Sequence, residues 1–419
     1  STSGGLSLSS SGGEITGNYF QGNAGFGLSQ YATNTITGNF FESVGDEVSL
    51  NDTSGVTIDD ILNNNSFVKK VVIKNELGYR YESYPWGYYA IVRGNIQGAI
   101  DAASAGDSVI VGAGTYTEAL DINKSVTILG PNAAISPNTG SRVAEAIIDL
   151  SAGDRHINMH VNNVVLKGFE IQNSANAGAI MAGTFSAHSI VSGITIEKNF
   201  FHDLSGCAIV SLSYSTSNPT TWVVTDNKIQ NTTFGTYFGG GYGSGIKMWG
   251  GANLTITNNV LSNIGFTGID IGWVSDVTVS GNTLTNLFDN GMQIVDAASG
   301  VIISNNTITN ANTALVAGQG GIKLFGSPAS LTITGNTISG SVNGFAVEPG
   351  NDLTGKAIAV NNNNFAGNSG YGINHLGTGT LDANCNWYGS NDPTTVATKV
   401  TIRVDYTPWL NAGTDISTD

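Results

Sequence analysis

The stretch LTITGNTI (331–338) decides the fold, because near copies of it recur along the chain. LTITNNVL (254–261), VTVSGNTL (277–284) and VIISNNTI (301–308) share its alternation of apolar and polar residues and hold an asparagine in the same place. Alternation with a period of two is typical of a β-strand with one buried side. The Gly-Asn or Asn-Asn pair tolerates the left-handed backbone of a tight bend. Each copy therefore predicts a strand, a sharp bend and a second strand.

The spacing of the asparagine predicts how the copies are arranged. Successive copies lie 23 to 32 residues apart, at Asn199, Asn227, Asn259, Asn282, Asn306, Asn336, Asn363 and Asn386. This spacing suits one turn of a stacked β architecture, whereas a propeller blade needs about 40 residues or more. Turns stacked about 4.8 Å apart bury a continuous apolar core, and the asparagines then form a ladder of amide hydrogen bonds. The predicted fold is an all-β, right-handed parallel β-helix.

The composition narrows the possible partners. Only 11% of the 419 residues are charged, 40% are hydrophobic, and the formal net charge is −15. A basic patch is required to displace counterions from nucleic acid, so an acidic chain argues against that partner. No stretch of about 18 apolar residues occurs, which argues against a membrane-spanning helix. Calcium and neutral glycans are compatible partners.

Three segments carry a resemblance to a known group. They are IQGAIDAASAGDSVIVGAGTYTEALDINKSVTILGPN (96–132), AEAIID (144–149) and LDANCNWYGSNDP (381–393). With them, residues 90–412 resemble secreted bacterial right-handed parallel β-helix repeat proteins, which share the pectate-lyase-like fold. The resemblance implies this fold and a location outside the cell or on its surface. It leaves the function open, because the group includes lyases, epimerases and adhesins.

The chain is predicted to have three parts. Residues 1–78 carry their own copies of the repeat and form a short β-helix section, either the end of a preceding repeat domain or a stacking segment. Residues 79–94 are an aromatic linker. Residues 95–419 form the main β-helix, with a short amphipathic helix at 95–104 that covers its open end and a C-terminal flap.

Aligned Gly-rich strands predict a binding face. SGIKMWG (244–250), TGIDIGW (267–273), NGMQIVD (290–296) and GGIKLFG (320–326) share one register, which turns one polar and one largely apolar or aromatic row outward. An insertion at 232–245 adds two tyrosines beside these rows. The residues predicted to bind a polysaccharide are Tyr237, Tyr242, Lys247, Trp249, Asp270, Gln293, Lys323 and Phe325. The alternative is that these charges only stabilise the sheet.

The resemblance also implies a possible lyase chemistry. Uronate lyases on this fold use a lysine or arginine to remove a proton beside a carboxylate that calcium neutralises. Lys247 or Lys323 would be the base, and Asp270, Asp289 or Asp296 would hold calcium. Arginine is scarce near these lysines, and compact lyase or epimerase motifs are missing from the sequence.

A second candidate site lies in AGDRHINMH (152–160). It contains Asp154, Arg155, His156 and His160, and it would be completed by His202 and Asp203 if the fold brought these residues together. Histidine beside aspartate could form an acid–base pair or a metal site. The alternative is that these residues are ordinary turn and surface groups.

Two functions follow from these observations. The leading hypothesis is a non-catalytic structural or adhesive module of a bacterial surface or filament protein, with copies stacked end to end. The alternative is a module that binds polysaccharide or acts on acidic glycans as a lyase or epimerase does.

Overall fold

The computed structural model is a right-handed parallel β-helix of about twelve turns with a few short helices. It describes residues 6–8, 13–22, 28–30, 35–42, 46–51, 55–85, 87–151, 156–174, 178–182, 191–212, 220–235, 243–295 and 299–413. The predicted fold class is therefore confirmed. No described helix has the length and apolar character needed to cross a membrane.

The turns of the main stack contribute strands to three faces, and within each face the strands of successive turns pair in parallel. Two long strands, Ile246–Thr257 and Ile269–Ser280, continue from face 1 into face 2. Face 1 contains Leu120–Ile122, Ile157–Met159, Gly178–Ala182, Cys207–Leu212, the first parts of Ile246–Thr257 and Ile269–Ser280, Met292–Val295, Gly320–Phe325, Asn343–Val347 and Ile373–His375. Face 2 contains Ser108–Val111, Thr127–Leu129, Val165–Lys167, Ile194–Glu197, Trp222–Thr225, the second parts of the two long strands, Ser299–Ser304, Ser330–Thr334, Ala357–Asn361, Leu381–Asp382 and Val404–Asp405. Face 3 contains Gly114–Tyr116, Ala146–Asp149, Glu170–Gln172, Phe200–Ser205, Lys228–Thr233, Val260–Ile264, Thr283–Leu287, Thr307–Thr309 and Thr337–Ser339.

The repeated phrase forms faces 2 and 3 and the bend between them. In LTITGNTI, Leu331 and Ile333 of face 2 and Ile338 of face 3 are buried. Gly335 makes the bend with φ at 68°, and Asn305 takes the same left-handed conformation one turn earlier, with φ at 55°. Glycine and asparagine are the residues that adopt this conformation at least cost, which explains the Gly-Asn and Asn-Asn pairs.

The predicted asparagine ladder is present and buried, and we call it the inner ladder. In the main stack it comprises Asn199, Asn227, Asn259, Asn282, Asn306, Asn336, Asn363 and Asn386. Each Oδ1 after the first accepts from the backbone N–H and from Nδ2 of the preceding asparagine, over 2.9–3.3 Å. Each Nδ2 also donates to a backbone carbonyl. The ladder therefore satisfies buried polar groups at every bend.

The predicted capping helix is also present. It spans Ile96–Ala102, begins at Asn95, whose side chain accepts from the backbone N–H of Gly98, and buries Ile96, Ala99 and Ile100. These apolar residues belong to the hydrophobic cluster that fills the main stack. At the other end, Tyr406 and Trp409 pack against the same cluster.

The N-terminal section differs from a simple series of turns. Its parallel strands form three small groups. The first contains Leu6–Leu8, Leu28–Gln30 and Asp46–Asn51 in that order, and the second contains Glu14–Thr16 and Thr35–Thr37. In the third, Phe40–Glu42 lies between Tyr19–Gln21 and Ser66–Phe67. Asn18, Asn39 and Asn65 form a short ladder of their own. Among the repeat copies predicted within residues 1–78 is GVTIDDI (55–61), and this prediction of a further strand is wrong. The segment leads into a helix, Ile58–Asn64, because Thr57 and Asp60 form a reciprocal capping box.

Antiparallel strands connect this section to the main stack. Val71–Asn75 pairs with Gly78–Tyr79 and with Ser108–Val111. Gly87–Arg93 pairs with Glu82–Tyr84 and with Asp46–Asn51, so much of the predicted linker is strand. The domain boundaries at 78 and 94 stay a prediction.

Candidate binding surface

The outward rows predicted for face 1 have the predicted register. Lys247 pairs with Asp270, Asp270 with Gln293, and Gln293 with Lys323 on successive strands. Trp249 and Phe325 lie in the second row, two residues further along their strands. The rows are not open to solvent throughout, because Lys247 is 3% and Asp270 1% exposed.

Lys247 and Asp270 form a buried ion pair. Lys247 Nζ donates to Asp270 Oδ2 over 2.5 Å, and Trp249 Nε1 donates to Asp270 Oδ1 over 3.0 Å. Lys247 Nζ also lies 3.4 Å from the centroid of the Trp249 ring, and Trp249 meets Trp273 edge to face at 5.3 Å. These contacts engage both oxygens of the Asp270 carboxylate within the protein.

In the C-terminal half of the rows, Lys323 is also buried and, of the residues described there, only Phe325 is well exposed. Lys323 forms an ion pair with Glu348, and its Nζ lies 5.8 Å from the centroid of the Phe325 ring. Phe325 is about half exposed. Gln293 is partly buried, and its Oε1 accepts from Asn290 Nδ2 over 3.3 Å.

The predicted calcium ligands are only partly described. Asp289 is buried, and its Oδ2 accepts from Thr267 Oγ1 and Asn290 Nδ2. Burial raises the pKa of Asp289, although Lys323 opposes this shift. Asp296, like Tyr237 and Tyr242, lies outside the described residues. Over the described ranges, no three His, Cys, Asp or Glu side chains lie close enough together to hold a metal ion.

The histidines of the second candidate site lie at different faces. His156 Nδ1 contacts the carbonyl oxygen of Gly178, and His160 Nε2 lies 2.7 Å from Asp121 Oδ1, both beside face 1. His202 lies on face 3. The described histidines therefore have separate partners on different faces, and a shared site for them stays a prediction. Asp154 and Arg155 lie outside the described residues.

His202 is held between two carboxylates. Its Nε2 lies 3.0 Å from Glu170 Oε1, and its Nδ1 lies 2.8 Å from Asp203 Oδ2. Burial lowers the pKa of His202, but the hydrogen bonds to Asp203 and Glu170 outweigh it, so the pKa is raised above 6.5. The hydrogen bond from His202 lowers the pKa of Asp203.

We expect His202→Gln to destabilise the fold mainly at acidic pH. A raised folded-state pKa contributes stability that is complete below the unfolded-state value, near 6.5, and is lost as the pH rises through the folded-state value. Urea unfolding should show a loss of about 1 kcal/mol at most below that pH, and little well above it. His160→Gln is the control, because its partner Asp121 is 60% exposed. A loss for His202→Gln that does not change with pH would contradict this account.

A second ladder of side chains follows the outer edge of face 3, and it was not predicted from the sequence. We call it the outer ladder. Its members are Asp203, Asn231, Asn263, Asn286 and Asn310, all with φ between 53° and 56°. The Nδ2 of each asparagine donates to Oδ1 of the preceding member over 3.2–3.3 Å. Its asparagines are exposed, in contrast to those of the inner ladder. It therefore presents a line of amides parallel to the axis of the β-helix.

An aromatic column lies beside the outer ladder. It is formed by Phe234 and Phe266, which follow Asn231 and Asn263 by three residues and lie in the same register. Phe288 follows Asn286 by only two residues, so it adds an exposed ring on the next turn one position earlier in the register. Phe234 is 49% and Phe288 54% exposed, and the rings of Phe234 and Phe266 meet edge to face at 5.7 Å. We call the outer ladder and this column together the amide–aromatic strip.

A groove continues the strip toward the N-terminus. Its volume is about 550 Å³, and it crosses four turns. Its lining residues are mostly hydroxyl and amide side chains, namely Ser151, Asn173, Ser174, Asp203, Leu204, Ser205, Asn231, Thr232 and Thr233. Because Phe234 directly follows Thr233, the groove and the aromatic column are adjacent along the chain.

The sequence holds a signal for the strip. QNTTF (230–234), SNIGF (262–266) and TNLF (285–288) each place an asparagine two or three residues before a phenylalanine, at the end of face 3. The binding face predicted from the sequence lies on the Gly-rich strands instead, and it does not include this second repeat.

The comparisons with known proteins agree with the fold. Residues 191–358 match the family described as "Right handed beta helix region". No curated protein matches the chain.

The chain is also similar to solved structures. XylC in complex with xylose is 14% identical, with a TM-score of 0.32 over 72% of this chain and 44% of that chain, so this chain spans less than half of it. The A-module of the mannuronan C-5 epimerase AlgE6 from Azotobacter vinelandii is 16% identical, with a TM-score of 0.31 over 69% of this chain and 94% of that one. The alginate lyase AlyGC of family PL6 is 13% identical, with a TM-score of 0.29 over 76% and 51%.

Proposed function

We propose that this protein is a β-helix module that binds an extended glycan along the amide–aromatic strip. The observation that carries the proposal is the exposed line of amides beside the column of phenylalanines on the same turns. The strip runs along the solenoid axis, so it suits a linear polymer better than a compact ligand. Strands stacked about 4.8 Å apart repeat the same groups at every turn.

The chemistry of the strip matches that of a sugar chain. A sugar ring has an apolar face of C–H groups, which packs on an aromatic ring, and hydroxyl groups around its edge. Asparagine side chains donate and accept hydrogen bonds, so they can pair with hydroxyls in either direction. The exposed phenylalanines also form an apolar surface that a ligand would remove from water.

Binding without cleavage is part of the proposal. The lysine base implied by the family resemblance has to accept a proton, but the Lys247 ammonium is buried in its ion pair with Asp270. Lys323 is likewise engaged with Glu348. Face 1 is therefore proposed to support the fold rather than to react with the glycan.

The location, an adhesive role and the stacking of copies are further proposals. A location outside the cell is consistent with a surface built from small neutral polar residues, since only 11% of the chain is charged. An adhesive role would use the same strip. End-to-end stacking of copies stays a prediction.

Removing the aromatic column should weaken binding. We expect Phe234→Ala and Phe288→Ala each to reduce glycan affinity about tenfold, because tenfold is about 1.4 kcal/mol and truncation of an aromatic residue that anchors a ligand costs about this much or more. A glycan array would identify the ligand, and titration calorimetry would measure each variant. Phe325→Ala is the control, because this phenylalanine is equally exposed but lies on face 1. Equal losses in all three variants, or binding that none of them changes, would refute the assignment to the strip.

A further inference from the structure

The strip lies in a part of the chain that is poor in positive charge. Between residues 199 and 322 the sequence contains six aspartates, two lysines and no arginine or glutamate. Asp203, the first member of the outer ladder, has a side chain that is 57% exposed. Asp149 lies beside the groove, where its Oδ1 accepts from Asn173 Nδ2. A ligand in the groove therefore meets carboxylates.

The nearby cations are already engaged by protein groups. Lys228 Nζ lies over the Phe200 ring, 5.2 Å from its centroid. Lys247 is buried in its ion pair with Asp270. Both ring nitrogens of His202 contact carboxylates, namely Glu170 and Asp203. The described part of the strip therefore presents no lysine or arginine poised to receive a carboxylate from a ligand.

The hydrogen-bonding pattern of the outer ladder also favours an uncharged ligand over one that carries carboxylates. In Asn231, Asn263 and Asn286, one N–H of the amide and one lone pair of Oδ1 are used within the ladder. Each amide then has one further donor and one further acceptor for a ligand. A sugar hydroxyl can accept from the remaining N–H or donate to the remaining lone pair of Oδ1. A carboxylate can only accept, so it would leave the Oδ1 lone pair without a donor and would be repelled by it.

From these charges and hydrogen bonds we propose that the strip selects uncharged glycans and discriminates against polyuronates. The inference rests on the proposed function, since it names the class of glycan for the same surface. Repulsion between ligand carboxylates and the Asp149 and Asp203 side chains acts through solvent, so it weakens as salt shortens the Debye length. The discrimination should accordingly be largest at low ionic strength.

Matched polymers test the proposal. Methyl-esterified and free polygalacturonate have the same backbone, as do hydroxyethylcellulose and carboxymethylcellulose, and each pair differs in charge. Affinity gel electrophoresis or calorimetry, with a chelator present to prevent bridging by divalent cations, would measure both members of each pair. We expect the uncharged member to bind about tenfold more tightly at low salt, with the ratio falling at high salt.

A charge-removing variant supplies the second arm. Asp203→Asn keeps the acceptor for Asn231 Nδ2 and places an asparagine where the following turns already have one. It should lower the ratio between uncharged and charged polymers. Equal or tighter binding of the charged polymer by the unaltered protein would overturn the inference while leaving glycan binding intact. A ratio that neither salt nor Asp203→Asn changes would also overturn it. Binding of no glycan at all would refute the proposed function itself.

Discussion

Replacing Asn282 with alanine should lower the free energy of unfolding by about 3 kcal/mol or more. Its Oδ1 accepts from the backbone N–H and Nδ2 of Asn259, and its Nδ2 donates to Asn306 Oδ1 and to the carbonyl oxygen of Ile256. Asn282 is fully buried, so alanine would leave several polar groups without partners or water. Each such group costs about 1–3 kcal/mol.

Asn286→Gly is the matched control for this prediction. Asn286 lies on the same turn but belongs to the exposed outer ladder, and glycine adopts its positive φ without strain. We expect a change within about 0.5 kcal/mol, as for other surface substitutions. Urea unfolding followed by circular dichroism would measure both variants. Similar losses for Asn282→Ala and Asn286→Gly would mean that the inner ladder does not stabilise the fold as described.

Breaking the buried ion pair on face 1 should lower the free energy of unfolding by about as much as Asn282→Ala does. Asp270→Ala removes the carboxylate that accepts from Lys247 Nζ and from Trp249 Nε1, and the lysine is only 3% exposed. Removing one partner of a buried pair typically costs about 3–5 kcal/mol, because the remaining charge is poorly solvated. Thermal or urea unfolding would measure this loss.

The double variant Lys247→Met with Asp270→Leu tests whether the uncompensated Lys247 charge causes the loss of stability in Asp270→Ala. Buried pairs replaced by apolar residues of similar volume are often neutral in stability, so the double variant should recover most of the loss. Asp121→Asn, in the exposed pair with His160, should cost about 1 kcal/mol at most. A double variant as unstable as Asp270→Ala would show that lost packing, rather than an uncompensated charge, causes the effect.

The repeated phrase was sufficient to predict the stack and the inner ladder, and the aligned Gly-rich strands were sufficient to predict the register of face 1. This is because parallel pairing gives successive turns the same backbone register, so an alignment of phrases is also an alignment in space. The pairing of Lys247 with Asp270 follows from that rule. Burial of the pair does not follow, since it depends on what packs outside the face rather than on the phrase.

The N-terminal section shows a different limit. Helix Ile58–Asn64 has a capping box at Thr57 and Asp60, so its signal was present but competed with the expectation of another strand. The antiparallel pairing of Val71–Asn75 with Ser108–Val111 had no such signal. Apolar strands pair in either direction, and the choice depends on how the chain returns to the sheet.

The strip was missed for a third reason. Its asparagines take left-handed conformations within or directly after the strands of face 3, whereas the binding face predicted from the sequence lies on the Gly-rich strands of face 1. A left-handed residue interrupts the alternation of buried and exposed side chains, so the alignment of these asparagines becomes clear only when the turns are stacked.

The chain has the same conformation before and after each bend of the inner ladder, and this affects how insertions and deletions change the number of turns. Asn259, Asn282 and Asn306 occupy equivalent positions 23 and 24 residues apart. Loss or duplication of one such segment would restore the same neighbours on either side. Recombination between equivalent bends can therefore shorten or extend the protein by whole turns, and the number of side chains in the inner and outer ladders would change with it.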